Sequence, residues 1–177
     1  QYTTLANQSL HSFKLNSMEP NHLVLASASP RRRELLDSLG ISFDVQVADI
    51  VEDDRPHLDP KALVSNNAIL KAEAVMHLYP KALILASDTT VALEGRIFSK
   101  PKDQEEALAM LRLLSGKWHS VYSAVSLRWY GGDFKEDFFE VSQVEFKRLS
   151  DSEIIDYHTR VNPLDKAGAY GIQTEAD

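Results

Sequence analysis

Leu23-Val24-Leu25-Ala26-Ser27-Ala28-Ser29-Pro30-Arg31-Arg32-Arg33 runs from an apolar segment through a short polar turn into the amphipathic stretch Glu34 to Leu39. The order reads as strand, tight turn, helix. Ser29 suits the N-cap, Pro30 the first helical position and Gly40 the C′ position, so local chemistry delimits the helix at both ends. A helix N-terminus presents unpaired backbone N–H groups and the positive end of the dipole, which together attract anions. Ser27, Ser29 and the guanidinium groups of Arg31, Arg32 and Arg33 add to that preference. Arginines in a first turn oppose the macrodipole, so they require an outside anion or neighbouring carboxylates. A phosphate-bearing ligand and an ion-paired surface both satisfy this turn.

Working outward, Phe43-Asp44-Val45-Gln46-Val47 alternates at period two, as a half-buried strand does. An acidic loop with Asp49, Glu52, Asp53, Asp54 and Asp59 follows, and Asp59-Pro60 caps a helix expected to run to about Leu78. Leu63, Ala68, Leu70 and Ala74 mark its expected apolar side, and Lys71 is its candidate to reach a ligand. Ala82-Leu83-Ile84-Leu85-Ala86 is a continuous apolar run ending in Ser87-Asp88-Thr89-Thr90, the pattern of a central strand that delivers polar groups at its carboxyl end.

Val91 to Leu93, Glu94-Gly95 and Arg96 to Phe98 form an expected hairpin. Asp103 and Glu106 have capping-box spacing at the head of a helix to Leu114, with Gly116 as its stop. Trp118 to Tyr130 and Phe134 to Lys147 are joined by Gly131-Gly132-Asp133 into a long antiparallel hairpin. Ser150 and Glu153 repeat the capping box before a helix to about Arg160, and Leu164 to Gln173 is a polar, glycine-bearing loop. Parallel βαβ connections followed by an antiparallel hairpin give an α/β fold with a central mixed sheet and flanking helices.

Composition limits the function classes. A chain of 177 residues with 44% hydrophobic and 25% charged residues and a mean hydropathy of -0.27 fits one soluble unit. Gln1 to Pro20 is expected to be a disordered tail or tag remnant, with Met18 a candidate start, and 21–177 a single domain. No apolar window is long enough for a membrane span. With no cysteine, disulfide and thiolate chemistry are excluded, and the expected compartment is the cytoplasm. The formal net charge of -7 and pI near 5.3 disfavour long nucleic acid as a partner, leaving the local basic turn better suited to a small polyanion.

Asp88 is the leading carboxylate, a candidate to take a proton from an attacking water or to hold a divalent cation; an Asx-turn is the plain alternative. Glu52 is either a solvated charge or a second cation ligand, since magnesium takes one or two protein carboxylates and completes its octahedron with water and phosphate. Lys71 and Lys100 carry little signal alone. The histidines lack metal-ligand spacing or a triad arrangement, and neither a Walker A pattern nor a Rossmann glycine fingerprint occurs.

Ser27-Ala28-Ser29-Pro30-Arg31-Arg32, Ser87-Asp88-Thr89-Thr90-Val91, Lys100-Pro101, Leu113-Leu114-Ser115-Gly116 and Leu164-Asp165-Lys166-Ala167-Gly168-Ala169-Tyr170-Gly171-Ile172-Gln173 together resemble the Maf family of nucleoside triphosphate pyrophosphatases. The resemblance spans about Leu23 to Gln173. It implies an ITPase-like architecture with a cleft between two lobes, and hydrolysis of a nucleoside triphosphate to monophosphate and pyrophosphate with Mg²⁺ or Mn²⁺. It implies a housecleaning role in the nucleotide pool and a homodimer. On it, Asp88 aligns with the proton acceptor, Glu52 and Asp88 are cation ligands, and Ser27, Ser29, Arg31, Arg32, Lys71, Thr89, Lys100 and Gln173 contact substrate. Arg31, Thr89 and Gln173 resemble the branch acting on dTTP and UTP. The family continues beyond the glycine-bearing loop with a strand and helix that this chain is expected to lack. A nucleotide-binding regulator of cell division without turnover is the alternative reading.

Overall fold

Strand β1 (His22–Leu25) pairs in parallel with β2 (Phe43–Val45) on one side and with β3 (Ala82–Leu93) on the other. Parallel neighbours require crossovers. Helix α1 (Pro30–Ser38) supplies the first, and α2 (Pro60–Met76) carries the chain from β2 to β3. The computed structural model describes residues 19–55 and 59–172.

Past β3, the turn at Glu94-Gly95 leads into β4 (Arg96–Phe98); both turn residues have positive φ, at 52° and 79°, as a two-residue hairpin turn demands. Helix α3 (Gln104–Leu114) follows, then the antiparallel pair β5 (Trp118–Trp129) and β6 (Phe134–Glu145), and helix α4 (Asp151–Arg160). The sheet order is β2-β1-β3-β5-β6, with β4 paired to the end of β3. The expected mixed α/β sheet is therefore present.

Strand β3 runs through two cores. Its first half contributes Ala82, Ile84 and Ala86 to a cluster with Val24, Ala72 and Val75 beneath α2. Its last residues, Val91 and Leu93, pack with Phe98, Met110, Leu111, Leu114 and Ile154 beneath α3 and α4. Residues 87–90 lie between the clusters.

Several expectations are corrected. Ser87 to Thr90 are not the carboxyl end of the strand: β3 continues without a break to Leu93, and Asp88 stands in mid-strand opposite Ala124. Strand β5 is long enough to pair from Ile84↔Arg128 to Ala92↔Ser120, and that ladder holds the polar residues in extended backbone. Helix α2 ends at Met76, and Leu70 (47% exposed) and Ala74 lie outside its buried stripe. The buried positions are Leu63, Val64, Asn67, Ala68, Lys71, Ala72 and Val75, a run at helical spacing in which an amide and an ammonium replace apolar groups.

The caps follow local chemistry with two adjustments. Asp59 accepts from the Ala62 N–H, and Ser150 with Glu153 forms a complete capping box. Asp103 accepts from the Glu106 N–H at 2.8 Å, but the Glu106 carboxylate reaches the Lys102 N–H instead of the cap residue itself. Ser29 occupies the N-cap of α1, yet its side chain makes no capping bond.

Candidate functional site

The polar cluster begins at a gap in the sheet. On one side β3 is paired with β5 throughout residues 84–92. On the other, β1 stops opposite Leu85 and β4 begins opposite Val91, so residues 86–90 have no strand neighbour there among the described residues. Polar side chains from α1, α2 and the acidic loop converge on Asp88 and Thr89 in this stretch.

Asp88 is only 8% exposed. Its Oδ1 accepts from Lys71 Nζ at 2.8 Å, and its Oδ2 accepts from Asn67 Nδ2 at 3.1 Å. The same Lys71 ammonium donates to Glu52 Oε2 at 2.7 Å. One buried cation thus joins two carboxylates that are 36 positions apart in the chain, a difference read from 88 and 52. Burial works to raise the Glu52 pKa, but the Lys71 hydrogen bond and charge, helped by Lys100, hold it below its ordinary value.

The basic turn closes the other side. Ser27 is 6% exposed, and its Oγ accepts from the Ser29 N–H at 3.2 Å and from Arg32 Nη1 at 3.0 Å. Arg32 Nη2 reaches Thr89 Oγ1 at 3.5 Å, and Thr89 Oγ1 also bonds Ser123 Oγ at 3.1 Å. Burial lowers the Arg32 pKa; the charges of Asp88 and Glu52 act against that shift and Arg31 acts with it. Arg32 therefore links α1 to β3 within the field of both carboxylates. Because the Ser29 side chain caps nothing, the first-turn N–H groups keep their anion-binding character.

Ser27, Ser29, Arg31, Arg32, Glu52, Lys71, Asp88 and Thr89 consequently share one region. Lys100, exposed after β4, lies near enough for its charge to act on Glu52. Gln173 lies outside the described residues. Sequence reasoning missed Asn67 and Ser123. Asn67 left a usable sign, a carboxamide four positions before Lys71 on what is otherwise a buried apolar stripe.

The donor set fits a divalent cation of the magnesium type. Two carboxylates converge on one ammonium position, and oxygen ligands of this number leave room for phosphate and water. No cluster of three or more His, Cys, Asp or Glu side chains suited to a closed metal cage occurs among the described residues.

The glycine-bearing loop abuts the second core. Gly168 has φ +70° and its N–H donates to the Ser99 carbonyl at 3.3 Å. Tyr170 OH bonds His119 Nε2 at 2.7 Å, and burial pushes the tyrosine pKa up. Tyr157 OH accepts from the Gly171 N–H at 3.0 Å, fastening the loop to α4.

A family model described as Maf-like protein matches residues 22–177. The dTTP/UTP pyrophosphatase of Bacillus pumilus is 45% identical over 153 residues, 86% of this chain and 80% of that protein. The Myxococcus xanthus protein of the same name is 49% identical, covering 85% of this chain and 76% of its own. In Akkermansia muciniphila, another protein so named is 41% identical over 88% of this chain and 81% of its own. Among solved structures, the Staphylococcus aureus Ham1 protein superimposes with a TM-score of 0.52 at 18% identity, covering 70% of this chain and 71% of that one, which is a likeness of fold. No described helix is long and apolar enough to cross a membrane.

Proposed function

The chain belongs to the Maf-like family, and on that footing we propose that it is a nucleoside triphosphate pyrophosphatase that converts dTTP and UTP to the monophosphate and pyrophosphate. The observation that carries the reading is the meeting of the buried Asp88 and the more exposed Glu52, joined by Lys71, with an uncapped basic helix start at the open edge of β3.

Asp88 takes the proton of the attacking water in this reading. Attack at the α-phosphorus breaks its bond to the bridging oxygen, which leaves with pyrophosphate. Lys71 joins Asp88 to Glu52 through two of its three N–H donors and brings a positive charge beside both carboxylates. Arg31, Arg32 and Lys100 offset the phosphate charge, and Ser27, Ser29 and Thr89 orient it. Glu52 and Asp88 are the residues that would hold Mg²⁺ or Mn²⁺, which supplies further neutralisation of the triphosphate. A homodimer is the assembly that accompanies this reading, and sedimentation measures it.

The deciding experiment follows product release across normal and modified triphosphates with Mg²⁺ and Mn²⁺. dTTP and UTP are expected to yield equimolar monophosphate and pyrophosphate. Release of inorganic phosphate, or saturable binding with no product, overturns the proposal.

A further inference from the structure

Asn67 is 1% exposed, on the face of α2 one turn before Lys71. Its side chain makes three hydrogen bonds, and every one goes to a segment bearing a proposed catalytic carboxylate. Nδ2 donates to Asp88 Oδ2 at 3.1 Å and to the Asp53 carbonyl at 2.9 Å. Oδ1 accepts from the Asp53 N–H at 2.9 Å. The pairing with residue 53 uses both its backbone donor and its backbone acceptor, as a neighbouring strand would.

Chemistry fixes the orientation of the amide. Rotating it by half a turn would set Oδ1 against two oxygens and the NH₂ group against an N–H, losing all three bonds. No other side chain of similar size supplies two donors and one acceptor in this arrangement. An aspartate would lack both donors and would place a second carboxylate against Asp88, whereas a leucine would fill the volume and bond nothing.

We propose that Asn67 is a positioning residue for the pyrophosphatase reaction, clamping the loop that carries Glu52 to the oxygen of Asp88 opposite Lys71. Lys71 alone could hold both carboxylates in many relative orientations, because its ammonium rotates and its stem is flexible. Asn67 removes that freedom. It fixes the second oxygen of Asp88 and anchors the backbone one residue after Glu52, so the two carboxylates keep a single geometry. The inference rests on the pyrophosphatase reading for its kinetic arm and on the described hydrogen bonds for its structural arm.

The test uses the full chain, with dTTP as substrate, and compares wild type with N67L and N67D. Wild type is expected to protect the Asp53 amide from hydrogen exchange at least about tenfold over its intrinsic rate. In N67L, that protection is expected to fall at least about tenfold, with kcat reduced about tenfold or more and KM changed less than about threefold. N67D is expected to lose at least as much kcat as N67L. In an E52Q background the N67L effect on kcat should be clearly smaller than in wild type, because the loop then has no carboxylate to place and only the Asp88 contact is left to lose.

Equal losses of kcat in the E52Q and wild-type backgrounds would mark Asn67 as merely structural and overturn the proposal. So would kcat within about twofold of wild type in N67L. An unprotected Asp53 amide in wild type overturns it without any variant, including the case in which N67L fails to fold. If wild type hydrolyses no triphosphate, the pyrophosphatase reading fails, while Asp53 exchange still decides whether the clamp exists.

Discussion

Lys71 Nζ stands 2.8 Å from Asp88 Oδ1, joining helix α2 to strand β3 through two buried side chains. The same ammonium is 2.7 Å from Glu52 Oε2. The sequence marks Lys71 as a group that reaches a ligand, and its observed bonds go to carboxylates. Its replacement therefore tests the organisation of the site more than its affinity for anions. Lys71→Met is expected to destabilise the fold by about 3 kcal/mol, since Asp88 keeps its burial and loses its cation. Urea unfolding monitored by circular dichroism measures this, and an unchanged midpoint would contradict it.

Asp88→Asn retains the shape of the residue but cannot accept the proton of a water. One face of the new amide must present a hydrogen toward either Lys71 or Asn67, each already a donor, so a stability loss of about 1–2 kcal/mol is expected. The kinetic effect should be much larger, about 10²–10⁴-fold in kcat. Pyrophosphate release and nucleotide binding, measured on the same folded preparation, separate the two effects.

Arg32 spans the site from Ser27 to Thr89 with two different guanidinium nitrogens. Lysine offers one ammonium and cannot serve both hydroxyls while also facing a phosphate. Arg32→Lys should raise KM for dTTP about tenfold, equivalent to about 1.4 kcal/mol. Titration of the variant with dTTP provides the check; an unchanged KM would remove Arg32 from substrate binding.

Gly168 holds a left-handed backbone at φ +70°, and a Cβ there would lie 2.9 Å from Val91 Cγ2 and 3.2 Å from Tyr170 Cε1. Gly168→Ala combines backbone strain with overpacking against the second core. A loss of about 1–3 kcal/mol is expected. Thermal unfolding should show a lower Tm than wild type.

Arg128, 3% exposed, donates to both oxygens of Asp137, at 2.8 and 3.0 Å. Burial acts to raise the Asp137 pKa, but the Arg128 hydrogen bonds and charge, with smaller help from Ser126 and Lys135, hold it below the usual carboxylate value. A lowered native pKa means that the unfolded chain takes up the proton first, so the stabilisation is complete above the unfolded value, about 3.9, and is lost as pH falls through the native one. The Tm difference between wild type and Asp137→Asn should be constant above about pH 5 and disappear in stronger acid. A difference that instead grew on acidification would refute this sign.

The caps at Asp59 and Ser150, the turn at Glu94-Gly95 and the helix start at Pro30 were legible because each is settled by a few adjacent residues. The sequence suggests that the strand ends at Ser87 because polar residues ordinarily end a strand; the length of β5 overrides that tendency by offering a partner for every residue from 84 to 92. The apolar pattern points Leu70 toward the core for a related reason. Hydrophobicity favoured it, whereas Asn67 and Lys71 occupy the buried stripe because Asp53, Glu52 and Asp88 satisfy their polar atoms.

Residue order alone was sufficient for the α/β class, the basic helix start, the candidate carboxylates and the family resemblance, since periodicity, turn chemistry and motif spacing are properties of the linear chain. It did not contain the opening beside residues 86–90, which exists because β1 ends at Leu25 while β4 begins only opposite Val91. Nor did it show that Lys71 joins Asp88 across 17 positions, or that Arg32 meets Thr89 across 57. Those relations depend on sheet order and on how α2 packs over β3, and no local preference encodes which distant partners a buried polar group will find.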